Sequence, residues 1–180
     1  MRRLLLIVAA LVLALGWIGW LGAIRDPVVT RHRVELAGLS RPLRIVHLSD
    51  IHGSAWDMPE ARIDRIVAQA NALHPDLVVI TGDFHASKLW NPPMRLERSL
   101  RPLTRLSAPL GVWNVPGNHD DPYWTRRVMR RFGLNLLAGD LADVGPVQII
   151  GIDDMILGTD QIRGLMVAAA RADPARPLIA

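Results

Sequence analysis

Three short apolar runs, each ending in a polar, turn-forming cluster, constrain this chain more than anything else in it. Leu43 to Leu48 leads into Ser49-Asp50-Ile51-His52-Gly53, Leu77 to Ile80 into Thr81-Gly82-Asp83, and Gly111 to Val115 into Pro116-Gly117-Asn118-His119-Asp120. Runs of this length bounded by Gly, Pro, Asp and Ser predict strands. Between the first two, Pro59-Glu60 opens a helix whose Ile63, Ile66, Val67, Ala70 and Leu73 recur at three-and-four spacing, and His74-Pro75 stops it. Strand, helix, strand is a βαβ unit, and continuous apolar strands belong to a parallel sheet covered on both faces. The second crossover is poorer: Leu96, Leu100 and Leu103 suggest a helix that Pro102 kinks or ends. Pro122 to Phe132 predicts a further helix stopped by Gly133, followed by strands at Leu134 to Leu137 and Val147 to Ile152. A helix over Asp160 to Ala172 and the start of a strand at Leu178 complete an α/β pattern without internal repeats.

The amino terminus obeys a different rule. Arg2 and Arg3 precede Leu4 to Ile24, which carries no charge. As a helix this run rises about 31 Å, enough for a hydrocarbon core of roughly 30 Å. Trp17 and Trp20 stand where a leader would be cleaved and suit the membrane interface. The expectation is an uncleaved signal anchor over residues 1–24, a connector over 25–42 with a short alternating strand at Val34 to Leu36, and an α/β domain from 43 to 180. Arg25, Arg31, Arg33, Arg41 and Arg44 follow the span, which by local count favours a cytoplasmic domain. Long domains cross largely regardless of charge, so a single-pass protein with its domain on the extracytoplasmic side is the expectation adopted.

Composition narrows the chemistry. The chain has 180 residues, half of them hydrophobic, enough for one domain with a core. It contains no Cys, which excludes disulfides, thiolate metal sites and a Cys nucleophile. Its net charge of +4 comes from arginine, Lys88 being the one lysine, and is compatible with anionic substrates or an anionic membrane. Arg126, Arg127, Arg130 and Arg131 form i,i+4 pairs on the helix after Asp120; a solvated face is the first reading and phosphate or headgroup contact the second. Aromatic residues are not interleaved with this stripe as a single-strand platform requires, so no nucleic-acid partner is expected.

Ligands of open α/β sheets bind outside the carboxyl ends of the strands, where Asp50, His52, Asp83, Asn118 and His119 all fall. Mn, Fe or Zn ions take mixed oxygen and imidazole ligands, and a carboxylate can bridge two of them. Two such ions activate water and clamp both oxygens of a phosphoryl transfer. Asn118 could ligate without adding negative charge. Taken singly, Asp50 and Asp83 could be helix caps and Asn118 a turn residue. His47 suits a packed, hydrogen-bonded strand position, His74 a helix end, and His85 a loop position without an assigned ligand role.

Asp50-x-His52, Gly82-Asp83 and Gly117-Asn118-His119-Asp120 together resemble the calcineurin-like metallophosphoesterase family, and the anchor and Gly151-Ile152-Asp153-Asp154 are similar to its membrane-linked bacterial branch. The resemblance implies a four-layer αββα sandwich and two divalent metal ions. Asp50 and His52 would bind the first, Asp83 would bridge, and Asn118 would bind the second. His119 would contact the phosphate or protonate the leaving group, and Asp120 would orient His119. The implied activity is phosphomonoester or phosphodiester hydrolysis, on a phosphorylated small molecule or lipid near the membrane. The family completes its site with a later His and a Gly-His-x-His segment; here the last His is His119. The domain is therefore expected to be incomplete at its carboxyl end, weak or inactive as it stands, with a non-catalytic metal- or ligand-binding membrane protein of the same fold as the alternative.

Overall fold

The computed structural model of the chain describes residues 1–86, 91–152 and 159–180. Asp153 and Asp154 of the predicted motif, and Lys88, lie outside them.

The uncharged run forms α1, Arg2–Ala23, with none of its residues buried. It is long and apolar enough to cross a membrane. Beyond it, β1 (Ile45–Leu48), β2 (Leu77–Thr81), β3 (Val112–Val115) and β4 (Asn135–Leu136) make a four-stranded sheet in that order. Every pairing in it is parallel. Crossovers run through α2 (Glu60–Ala72), then α3 (Leu96–Leu100) with a 3-10 turn at Pro102–Arg105, then α4 (Pro122–Phe132). Right-handed crossovers between sequentially ordered parallel strands place all these helices on one face. Pro102 ends α3 as expected, because its ring and missing N–H cannot continue the α-helical ladder. Gly133 closes α4 at φ 68°, a left-handed position open to glycine without a Cβ penalty.

Alternation along the strands separates two cores. Val46, Val78 and Ile80 face the helices and pack with Ile63, Leu100 and Met129. Leu77, Val79, Trp113 and Val115 face the other way, toward Val144, Val147 and Ile149. The second group belongs to a three-stranded sheet of β5 (Leu141–Asp143), β6 (Gln148–Ile150) and β7 (Leu178–Ile179). There β5 pairs antiparallel and β7 parallel to β6. α5 (Thr159–Ala170) contacts β6, and the Gln148 side chain bonds both the N–H and the carbonyl of Asp173 just after that helix. Helices, sheet, sheet and helix are the four predicted layers. Each fully buried aliphatic side chain contributes about 1.5–3 kcal/mol relative to exposure.

Two expectations change. Val34 to Leu36 forms no strand: Val34 is 80% exposed, and neither sheet offers this segment a partner. Conversely, β5 has no strong apolar signature; it forms because the turn at 144–147 folds it back on β6, with Val144 N–H donating to the Val147 carbonyl.

Residues 25–27 are held on α2. Arg62 bonds the Arg25 carbonyl, Arg65 pairs with Asp26 at 2.9 Å, and Gln69 donates to the Pro27 carbonyl. These three side chains form one stripe of α2, beside the stripe that packs into the core.

Candidate metal centre

The loops after β1, β2 and β3 converge, and glycines permit the convergence. A Cβ on Gly82 would overlap the backbone of Gly117, and a Cβ on Gly117 would overlap Asp83. Asp50, His52 and Asp83 all adopt left-handed backbone conformations, with φ of 55°, 43° and 56°. For residues with a Cβ this costs free energy and persists only where surrounding contacts hold it. The contacts are visible: His52 N–H donates to the Asp83 carbonyl at 2.7 Å, and Gly53 N–H to the Phe84 carbonyl at 3.1 Å. The two loops thereby continue the pairing of β1 with β2 beyond the ends of the strands.

His52 is oriented by its second nitrogen. Nδ1 lies 3.2 Å from the His85 carbonyl, which can only accept, so Nδ1 is the donor there and, in the neutral ring, Nε2 presents its lone pair. Nε2 stands 3.7 Å from Asp50 Oδ1 and 3.6 Å from Asp83 Oδ2. Those separations are too long for hydrogen bonds. Two donors on one tetrahedral ion, each about 2.1 Å from it, sit about 3.4 Å apart. A lone pair facing two carboxylate oxygens is repulsive until a cation lies between them. The donor set fits a divalent ion of the Mn, Fe or Zn kind. Ligand atoms of Asp50, His52 and Asp83 lie within 4.8 Å of one another, and no other such group occurs among the described residues.

The third loop joins through Asp83. Its Oδ1 accepts the His119 N–H at 3.0 Å, while its Oδ2 faces His52. The His119 ring stands edge-on to His52 with centroids 5.1 Å apart. Asn118 and His119 are exposed on the turn closed by Asp120 N–H to the Gly117 carbonyl. The structure thus gathers Asp50, His52 and Asp83 tightly and sets His119 against them, while Asn118 is exposed on the same turn as His119.

Asp120 differs from expectation. It is 1% exposed, and its carboxylate accepts from the backbone N–H groups of Phe84 (2.9 Å), His85 (3.1 Å) and Gly117 (3.0 Å) rather than from the His119 ring. The physical reason is geometric: Asp120 turns inward from the loop while His119 turns outward. Burial pushes its carboxyl up from the ordinary range, the three amide donors oppose that, and Asp83 adds a smaller upward push. Asp120 fastens the β3 loop to the β2 loop. Sequence reasoning also missed His85, whose carbonyl sets the His52 tautomer; a backbone group leaves no signature in residue type. His47 bonds Thr81 at 2.8 Å as expected, but it is exposed rather than packed because β1 is an edge strand; His74 follows the end of α2 at φ 49°, as expected.

A four-layer α/β sandwich with carboxylate and imidazole donors converging at its strand ends is the architecture of a metal-dependent hydrolase. The calcineurin-like phosphoesterase model matches residues 43–158, and the chain belongs to that family. It is 28% identical over 137 residues to an uncharacterised metallophosphoesterase of Campylobacter jejuni, covering 74% of this chain and 35% of that protein. It is 35% identical over 123 residues to a Bos taurus transmembrane protein with a metallophosphoesterase domain, covering 67% of this chain and 26% of the relative. UDP-2,3-diacylglucosamine pyrophosphatase LpxG of Chlamydia trachomatis is 38% identical over 78 residues, 43% of this chain and 22% of that enzyme. The matched region thus spans about a fifth to a third of the length of these curated relatives.

Proposed function

We propose that this chain carries the phosphoester-hydrolysing site of a single-pass membrane protein, with residues 1–24 as anchor, 25–42 as connector and 43–180 as phosphoesterase domain, its domain on the extracytoplasmic side. The observation that carries the chemistry is the His52 Nε2 lone pair facing Asp50 and Asp83, a juxtaposition that favours a cation. In this reading Asp50 and His52 would hold one divalent ion, Asp83 would serve both ions, and Asn118 would hold the second. When bound, the two ions supply a nucleophilic oxygen at neutral pH and neutralise charge on the phosphoryl group. The chain's own residues do the remaining work. The exposed His119 imidazole would contact the phosphate or protonate the leaving oxygen. The His85 carbonyl keeps the proton on Nδ1 of His52. Asp120 holds the second and third loops in register.

The substrate is a membrane-proximal phosphoester or pyrophosphate. α1 supports the location, and the similarity to an enzyme named for a diacylglucosamine nucleotide supports a lipid or small phosphorylated molecule. The test is metal content and turnover of the full chain in detergent with Mn²⁺ and an aryl phosphodiester. Asp83→Asn should lower bound metal and reduce turnover by about 100-fold or more. Unchanged metal stoichiometry and unchanged rate in that variant would overturn the reading. Stoichiometric metal without turnover would favour the non-catalytic alternative, in which the fold binds metal or ligand only.

A further inference from the structure

The four arginines of α4 lie on a surface whose form asks for more than solvation. Tyr123, Arg126, Arg127, Arg130 and Arg131 line one shallow groove. The opposite side of the helix, at Thr125, Val128 and Met129, is buried in the core. α4 has no acidic residue within Pro122–Phe132, and none of the four arginines has an ion pair among the described residues. Elsewhere on the surface Arg41, Arg65, Arg98 and Arg176 each face a carboxylate. Two large aromatics stand in the turn before the α4 arginines: Tyr123 is 74% exposed and Trp124 44%, with the Arg127 guanidinium 5.9 Å from the Trp124 ring centroid. Basic side chains beside exposed Tyr and Trp are the composition of a headgroup-level surface.

The placement of this face agrees with the tether. Residues 25–27, which follow the span, are held to α2 by Arg62, Arg65 and Gln69. α2 and α4 belong to the same helical layer, and α3 contacts both. The chain therefore leaves the bilayer along the layer that presents the arginines, while α5 lies on the opposite outer layer.

From these observations we propose that the helical layer lies against the membrane and that the α4 face, Tyr123 with Arg126, Arg127, Arg130 and Arg131, docks on anionic phospholipid headgroups. This rests on the reading of α1 as a membrane anchor and adds a second, electrostatic contact beside it. Docking would hold the loop of Asn118 and His119, four to five residues before Tyr123, at headgroup depth. A basic residue near an anionic surface is worth about 1 kcal/mol, roughly fivefold in the docked fraction for each arginine.

The chain has no cysteine, so a single spin label can be introduced cleanly. The full chain carries the label at Tyr123→Cys, or at the exposed Ala169→Cys on α5, and is mixed with vesicles of phosphatidylcholine alone or with 30% phosphatidylglycerol (about that fraction, to set an anionic surface). Flotation with neutral vesicles reads the anchor separately. Accessibility of the label to a water-soluble relaxation agent reads docking, whether or not the span inserts. The expected result is at least about a fivefold drop at position 123 on anionic lipid, none at position 169, and reversal in high salt, which screens exposed charges. Arg126→Gln, Arg127→Gln, Arg130→Gln and Arg131→Gln combined should abolish the drop; these side chains are exposed, and the salt reversal tests the same point in the unaltered helix. Equal accessibility on both lipids, or equal protection at 123 and 169, would overturn the proposal. So would protection by a short DNA duplex with no response to anionic lipid, which would assign the face to nucleic acid.

Discussion

Gly117 shows how a residue without a side chain can decide a site. A Cβ there would lie 2.5 Å from the Asp83 backbone nitrogen and overlap its carboxylate. Gly117→Ala must therefore push the β3 loop off the β2 loop, moving Asp83 and His119 together. It should cost about 1–3 kcal/mol, the usual range for overpacking, and weaken metal binding; thermal unfolding and metal titration measure the two effects. Asp120→Asn probes the same junction from within. A carboxamide offers one acceptor oxygen where the carboxylate offers two, and its NH₂ group would oppose either Gly117 N–H or the pair from Phe84 and His85. Leaving a buried amide unmatched should cost about 1–3 kcal/mol, read as a lower unfolding midpoint at neutral pH. Both substitutions lie in the short motif that sequence reading singled out. Its roles were only half legible there: a Gly-Asn-His-Asp word announces chemistry, but not that the Asp faces inward to three backbone amides while the His faces outward.

At the scale of elements, the junction of β1, α2 and β2 depends on Asp76. Its carboxylate accepts from the Arg44 N–H at 2.8 Å and from the Arg41 guanidinium at 3.2 Å. The Arg44 guanidinium in turn donates to the Leu73 carbonyl at the end of α2. The Arg44 amide, the largest influence, holds the Asp76 carboxyl below its ordinary value of 3.8; burial comes second and opposes it, and Arg41 lowers it further. A carboxyl depressed in the folded state stabilises the fold above its unfolded value and stops doing so as pH falls through the folded one. Unfolding midpoints followed by circular dichroism should therefore be flat in this contribution above about pH 4 and fall below it. Asp76→Asn should be less stable at neutral pH and lose that part of the acid dependence. The elements themselves were well announced: α2 and α4 by periodicity and end signals, and the three site strands by apolar runs closed with Gly and Asp. β5 was not, because a three-residue strand has too little pattern to show and exists through its partner.

For the whole molecule, the main division is between a helix with no buried residue and a sandwich with two cores. Removing residues 1–24 should release the protein from carbonate-washed membranes into the soluble fraction, since no other helix among the described residues is long and apolar enough to cross a bilayer. Extending the removal through residue 27 also takes away the contacts of Arg62, Arg65 and Gln69 to residues 25–27. The unfolding midpoint of that shorter chain should drop modestly, since the Arg65–Asp26 pair is exposed and worth under about 1 kcal/mol and the other two contacts are single bonds to backbone carbonyls. A large drop would show that the connector is part of the fold.

Sequence alone determined the α/β class, the anchor-like segment, the order of the three strand-end motifs and the residues that cluster at them. These follow from local chemistry: hydrophobic period, turn residues and the position of polar groups after apolar strands, each readable within a few residues. Only the tertiary structure decided which donors meet. The 3.6 Å approach of His52 to Asp83, the His85 carbonyl that directs the His52 ring, and the burial of Asp120 all join residues about 30 or more positions apart. Such distances are set by the packing of loops that glycines allow to touch, and no local pattern encodes them. The three apolar runs thus located the site, and the convergence of their loops made it one.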